Sequence, residues 1–312
     1  MVKPVKDIKI RPGITVSELV EQMRDAGGFA ALYLGKAVEV LREMIRDAEC
    51  VRFLSFVGAP ISTGLRGVIT ELIKNKLFDV IITTCGALDH DIARSLREYY
   101  EGDFWMDDEV LKEKGFHRLG SVLIPVENYG PLIEEFMQKI LEEEYSKGLR
   151  EVSSSSLASL IGEKITDERS FLKWAAEKRV QVFVPGILDG AVGTQIWLFQ
   201  QKHRDFKLNL LQDFDKLSEI VFKAKSSGAL MIGGGISKHH LLWWNQFKDG
   251  LDYAVYITTG YEYDGSLSGA TVREAVSWGK VKPQAMKVTV HGDATIILPL
   301  IASALLEYRN NP

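Results

Sequence analysis

The chain has 312 residues, is 46% hydrophobic and 26% charged, and carries a formal net charge of −4. That size and composition belong to a soluble globular protein of one large α/β domain or two smaller ones. No apolar run approaches the ~18 residues of a membrane span and no long basic run occurs, so neither a membrane nor a nucleic acid is an expected partner.

The first residues, Met1-Val2-Lys3-Pro4-Val5-Lys6-Asp7, lack the apolar core of a secretory signal, which makes the cytoplasm the expected location. Thr15-Val16-Ser17-Glu18 reads as a capping box, opening a helix with Val16, Leu19, Val20 and Met23 on one face. After Gly27-Gly28 a longer helix is predicted to about Asp47, with Leu34, Val38, Leu41 and Ile45 at core spacing. Residues 1–50 therefore form a helical extension ahead of the first strand. It could pack on the domain or reach a neighbouring subunit, and the pattern does not choose between the two.

From Val51 to the end, a single α/β domain is predicted. Apolar runs rich in β-branched and aromatic residues recur at 51–57, 79–83, 121–125, 180–184, 228–232, 253–258 and 287–291. Helical patterns fill most of the gaps, at 64–77, 90–100, 130–147 and 167–178. Near-continuous apolar strands separated by helices predict a parallel sheet buried on both faces, doubly wound by right-handed crossovers in a Rossmann-like arrangement. The acidic stretch Glu101–Lys114 and the run Ser153–Ser156 read as surface insertions.

The segments at the strand ends point to a ligand. Gly58 to Gly64, Thr84 to Asp91, Pro185 to Gly193, Gly233-Gly234-Gly235, Thr259 to Gly269 and Gly292-Asp293-Ala294-Thr295 are all rich in small or acidic residues. Open parallel sheets bind ligands outside the carboxyl ends of their strands. Glycines there admit a pyrophosphate, and an acid can hold ribose hydroxyls. The pattern fits a nucleotide site spread over many loops, since no GxGxxG fingerprint occurs; ordinary tight turns are the alternative.

Three groups are candidates for chemistry. Lys280, two residues after Trp278, is a potential nucleophile if burial lowers its pKa, or else a surface lysine at a helix end. His239 and His240 come after Ser237 at a predicted helix start, where a neutral imidazole can act as base. Glu274 either binds an amine or closes a second capping box, Thr271-Val272-Arg273-Glu274. Cys50 and Cys85 build neither a disulfide framework nor a CxxC pair, and no HExxH spacing occurs, so no metal is expected.

Ile232-Gly233-Gly234-Gly235-Ile236-Ser237-Lys238-His239-His240, Asp252 to Ile257, Asp264-Gly265-Ser266 and Glu274-Ala275-Val276-Ser277-Trp278-Gly279-Lys280 closely resemble deoxyhypusine synthase. The likeness runs from Gly27-Gly28-Phe29 to Gly292-Asp293-Ala294, and Cys85 to Asp91 resembles the archaeal branch. The resemblance implies an enzyme, an aminobutyl transferase with NAD as cofactor. Members oxidise spermidine, hold its aminobutyl group as an imine on a lysine, and pass it to one lysine of the translation initiation factor 5A precursor. By resemblance Lys280 is the imine-forming lysine and His239 the histidine over the substrate. Asp89, His90, Gly265, Ser268, Glu274 and Trp278 match substrate-binding positions. Ser62, Thr84, Cys85, Gly86, Asp189, Gly234, Thr259, Gly260, Asp264, Asp293 and Ala294 match NAD contacts. A homotetramer with active sites at subunit interfaces is implied too. Thr194, Leu267 and His90 stand where eukaryotic members carry carboxylates, which leaves Asp89, Asp91, Glu262 and Glu274 to pair with an amine.

Two alternatives differ in what they make. A homospermidine-type synthase would use a small diamine as acceptor, and a non-catalytic homologue would only bind NAD. Intact Lys280, Trp278 and His239 argue against the latter, and two cysteines cannot build the four-cysteine zinc module of NAD-consuming deacylases.

Overall fold

The computed structural model describes residues 3–310. Its strands are β1 (Cys50–Phe56), β2 (Val80–Ile82), β3 (Tyr100–Glu101), β4 (Phe116–Leu119), β5 (Val122–Pro125), β6 (Glu151–Val152), β7 (Gln181–Phe183), β8 (Lys207–Leu208), β9 (Ser226–Ile232), β10 (Leu251–Thr258) and β11 (Val281–His291). The largest sheet among the described residues is six-stranded and parallel, in the order β11-β10-β9-β1-β2-β7. Counted in chain order within that sheet, this is the doubly wound arrangement 3-2-1-4-5-6, read from β7 to β11. The predicted fold class holds. Its switch point, where the direction of winding reverses, lies between β1 and β9.

The chain forms two compact units. The first comprises the residues up to Phe56, Leu77–Val80 and those from Leu217 onward. Here β1, β9, β10 and β11 pair in parallel, with Phe56 level with Ile232 and Ile257 level with both Ile232 and Val290. Side chains of β1, β9 and β10 are mostly buried, as unbroken apolar runs require, whereas β11 at the sheet edge buries only Val281, Val288 and Val290. Between Leu251 and Tyr253 the β10–β11 register slips, because β11 advances from Val281 to Met286 while β10 advances two residues. Pro283, which has no N–H for the ladder, sits in that excursion.

The helices Val16–Ala26 and Phe29–Arg46 belong to the first unit. Thr15 caps the first through the Glu18 N–H at 3.1 Å, and left-handed Gly27 ends it. Gly35 is where the pair touches: a Cβ there would stand 2.7 Å from the Arg24 Cα. Leu34, Val38, Leu41 and Met44 are buried, each removal from water contributing ~1.5–3 kcal/mol. Both helices also meet the carboxyl-terminal helix Ala294–Asn310, where the Ser17 N–H donates to Glu307 at 2.9 Å and Arg42 lies 5.2 Å from the Tyr308 ring. The extension thus packs on its own chain. No helix among the described residues is long and apolar enough to cross a membrane.

The second unit spans Val57–Lys76 and Ile81–Lys216. The run at 121–125, expected in the parallel sheet, instead becomes β5, the centre of an antiparallel sheet β3-β5-β4. Only Gly120-Ser121 joins β4 to β5, and so short a link can close only a hairpin; a parallel crossover needs about a dozen residues. The serine run is likewise no surface insertion, since Ser153, Ser154 and Ser155 are buried. Ser153 and Ser156 form a capping box on the helix Ser154–Lys164. The buried Asp213 carboxylate accepts from the Ser154 and Ser155 N–H groups at 2.9 and 3.1 Å. A serine needs no exposure when a helix N-terminus supplies its partners.

Candidate active site

In the first unit, the turn after β9 is built on Gly233 and Gly235, both left-handed with φ of 71°. Between them Gly234 is pressed against Ser268, whose Cα a Cβ on Gly234 would approach to 2.6 Å. Ser268 belongs to the loop after β10. Its carbonyl accepts from the Tyr256 hydroxyl at 2.7 Å and the Thr258 hydroxyl at 2.8 Å. The Gly260 N–H donates to the same Thr258 hydroxyl at 2.9 Å. Asp264 is exposed and accepts from the Ser266 N–H at 2.7 Å; hydrogen bonds from the Ser266 side chain and then its backbone hold the carboxyl below the ordinary range. Left-handed Gly265 comes next. Thr259 is exposed just beyond β10. The predicted residues Gly234, Gly260, Asp264, Gly265 and Ser268 therefore share one stitched loop cluster.

The helix Gly235–Asn245 leaves this turn and carries the histidines. His240 accepts from the Trp244 indole N–H at 3.1 Å, which ties it down. His239 is exposed and stacks on Trp243, with ring centres 6.0 Å apart. Partial burial and then the Lys280 ammonium hold His239 below its usual pKa, which favours the neutral imidazole. Lys280 immediately precedes β11, with its Nζ 5.1 Å from the Trp278 ring centre. Its backbone is held tightly: the N–H donates to Ala275 and the carbonyl accepts from Leu251, while a Cβ on Gly250 would fall 2.8 Å from the Lys280 carbonyl carbon.

Glu274 opens the short helix Glu274–Ser277, whose N-cap is Arg273 with no side-chain cap. The capping box read at Thr271 to Glu274 does not form, because a one-turn helix beginning at Glu274 leaves no N3 role for it. Its carboxylate stays exposed. At the end of β11, Asp293 caps the helix Ala294–Asn310, with Oδ1 accepting from the Thr295 N–H at 2.7 Å.

The second unit holds the remaining predicted residues. Cys85, Gly86, Asp89 and His90 lie in the helix Cys85–Leu96 rather than in a loop, with Thr84 at its N-cap. Asp89 is buried and both its oxygens are engaged. They accept from the Ala191 and Val192 N–H groups at 3.0 and 2.9 Å and from the Tyr129 hydroxyl at 3.1 Å. Asp89 thus caps the helix Ala191–Lys202, and burial raises its pKa against those hydrogen bonds. Gly190 must be glycine here, because a Cβ would press on Asp89 Oδ2 and Cys85 Sγ at 2.6 and 2.7 Å. Burial pushes the Cys85 thiol up, keeping it protonated. His90 shares a 3.0 Å hydrogen bond with the Tyr99 hydroxyl, and burial with the nearby Arg94 cation lowers it to about 4.

Asp91 is buried too, paired with Arg66 at 2.7 Å and accepting from Ser170 Oγ at 2.7 Å. Of the four carboxylates left for an amine, Asp89 and Asp91 are consumed by structure, whereas Glu262 and Glu274 remain exposed. The Thr194 hydroxyl donates back to the Gly190 carbonyl at 3.0 Å. Ser62 is buried, donating to the Ala59 carbonyl at 2.7 Å, and Asp189 is exposed. Gly58 and Gly86 bring two backbones together, since a Cβ on Gly58 would lie 2.7 Å from the Gly86 carbonyl carbon.

Comparison with known proteins decides the family. The deoxyhypusine synthase family model matches residues 18–305. A probable deoxyhypusine synthase of Picrophilus torridus is 52% identical over 305 residues, 98% of this chain and 97% of that one. Another from Thermoplasma acidophilum is 51% identical over 304 residues, 97% of each. The chain belongs to the deoxyhypusine synthase family. In fold it is similar to a crystal structure described as a putative deoxyhypusine synthase from Entamoeba histolytica, with a TM-score of 0.63 at 22% identity, covering 96% of this chain and 95% of that one.

Deoxyhypusine synthases are transferases, and the predicted recognition and activity class therefore stand. Two members of the site escaped the sequence reading. Lys238 is buried, with Nζ donating to the Leu267 and Ala270 carbonyls at 2.9 and 2.5 Å. Burial brings it down to about 8, with Glu274 opposing. Tyr256 lies beneath that ammonium, 3.6 Å from Nζ to the ring centre. The signal available was a lysine inside the motif itself, yet a lysine after a helix start normally reads as solvated.

Proposed function

We propose that the chain transfers the aminobutyl group of spermidine to one lysine of the translation initiation factor 5A precursor, using NAD and an imine at Lys280. Residues 51–312 would carry the catalysis, in the cytoplasm. The observation that carries this reading is the grouping of Lys280, Trp278 and His239 in one unit. A lysine nucleophile, an aromatic wall and a neutral imidazole are the parts that imine chemistry on an amine substrate needs.

The backbone fits a dinucleotide. A Cβ at Gly235 would meet nothing within 4 Å, and the eleven-residue helix Gly235–Asn245 starts with no side-chain cap, leaving first-turn N–H groups for a ligand. In this reading Gly234, Thr259, Gly260, Asp264, Asp293 and Ala294 of the first unit hold NAD. NAD when bound supplies a hydride acceptor and later a hydride donor. Trp278 flanks the cationic chain, Glu274 offers a carboxylate to an ammonium, and His239 takes the proton from the reacting nitrogen. Lys280 Nζ attacks the oxidised carbon and diaminopropane departs; the acceptor lysine then displaces Lys280.

A lysine amine attacks carbon only when neutral, so such a nucleophile must be desolvated. Within one chain Trp278 is 65% exposed, and Ile236, Trp243 and Phe247 on the histidine-bearing helix and its extension are 44%, 42% and 49% exposed. That uncovered apolar face favours a homotetramer in which a second copy closes the site.

Intact-protein mass spectrometry with NAD, spermidine and the factor, run with and without borohydride, tests the proposal. An aminobutyl group on the factor and a reduced adduct mapping to Lys280 are expected. A free polyamine product with an unmodified factor would replace it by the small-diamine reading.

A further inference from the structure

We propose that Lys238 is a positioning residue whose buried ammonium clamps the loop between β10 and the helix Glu274–Ser277 onto the glycine turn, fixing Ser268 against Gly234. Lys238 is only 1% exposed, and among the described residues no carboxylate forms an ion pair with it. Burying an unpaired cation is expensive, and an apolar side chain would fill the same helix position without that cost. What compensates the charge here is the loop itself. Nζ donates to the Leu267 carbonyl at 2.9 Å and the Ala270 carbonyl at 2.5 Å, straddling Ser268 and Gly269. On its other side stands the Tyr256 ring, at 3.6 Å.

The Tyr256 hydroxyl donates to the Ser268 carbonyl, as does that of Thr258. Three side chains from two elements therefore converge on three loop carbonyls, those of Leu267, Ser268 and Ala270. Opposite them Gly234 has no Cβ, and the space is taken by Ser268. Removing the ammonium would strand two carbonyls turned inward and free the loop at its midpoint.

This inference rests on the proposed function in one respect: the loop carries Gly260, Asp264 and Ser268, assigned there to NAD and substrate. A clamp that pre-orders a loop spares the ligand that cost, so its loss weakens apparent affinity by the fraction of closed loop. The ligand-saturated rate is then nearly preserved.

The test uses the full-length protein and the variants Lys238→Met and Lys238→Arg, examined by backbone hydrogen exchange, NAD calorimetry and steady-state kinetics. In Lys238→Met, exchange of residues 261–270 should rise at least tenfold while strand amides stay protected. The NAD Kd and spermidine KM should rise about tenfold, with kcat changed less than threefold, and Lys238→Arg should recover most of the loss. Unchanged loop exchange in Lys238→Met, or a uniform rise across the whole protein, would overturn the clamp. If Lys238→Met does not fold, Lys238→Gln, which keeps one amide donor, carries the same measurement. A faster-exchanging loop in a protein that forms no Lys280 adduct even as wild type would sustain the clamp and sink the transferase proposal instead.

Discussion

Lys280 is held by its backbone rather than its side chain, with Gly250 packed against its carbonyl and Ala275 accepting its N–H. Such a residue can lose its amine without disturbing its neighbours. Lys280→Ala should therefore abolish transfer and borohydride trapping while changing the NAD Kd less than threefold; retained transfer would end the covalent route. His90 carries a different prediction. Its folded pKa of about 4 lies below the unfolded value of 6.5, because burial and Arg94 disfavour the charged ring. Its contribution to stability is therefore fully present above pH 6.5 and is lost as pH falls toward 4, at up to ~1.4 kcal/mol per pH unit. Urea unfolding of His90→Gln should show a shallower acid slope across that window than wild type. A parallel pair of curves would mean that His90 accepts a proton in the folded state.

Among the elements, the helix Ser154–Lys164 depends on a partner distant in sequence. Asp213 accepts from two of its first N–H groups and from the Ser154 hydroxyl at 2.7 Å, all out of water. Asp213→Ala would leave these donors buried and unsatisfied, at a cost of ~2–4 kcal/mol. Chemical denaturation should record that loss, and a cost below ~0.5 kcal/mol would show that water replaces the carboxylate. Helices and strands were legible where periodicity or apolar runs were strong, as in Phe29–Arg46 and β9. The fate of 121–125 was not, because hydrophobicity marks a strand without naming its partner. That choice came from the two-residue link at Gly120-Ser121.

For the whole molecule, the uncovered face of Ile236, Trp243, Phe247 and Trp278 is the property a single chain leaves unresolved. A stable interface buries about 800 Å² per partner, and exposed tryptophans at its centre carry much of the energy. Trp243→Glu puts a charge on that face and gives up the ring's contacts with His239 and Phe247, so His239→Ala serves as its control for activity. Trp243→Glu should break the proposed tetramer, seen by light scattering, and reduce transfer at least a hundredfold with the circular dichroism unchanged. An intact tetramer would place the interface elsewhere.

By itself the sequence determined the doubly wound class and the family, because each rests on local pattern, and it put Trp278 beside Lys280 by a two-residue spacing. Tertiary structure alone decided which acids are free. Asp89 and Asp91 look like amine ligands in a row of polar residues, yet both are spent on helix N-termini and Arg66, reached across the second unit. It also decided that Lys238 is buried beneath a loop some thirty residues later. A charge is placed by whichever groups can compensate it, and those groups are rarely its neighbours along the chain.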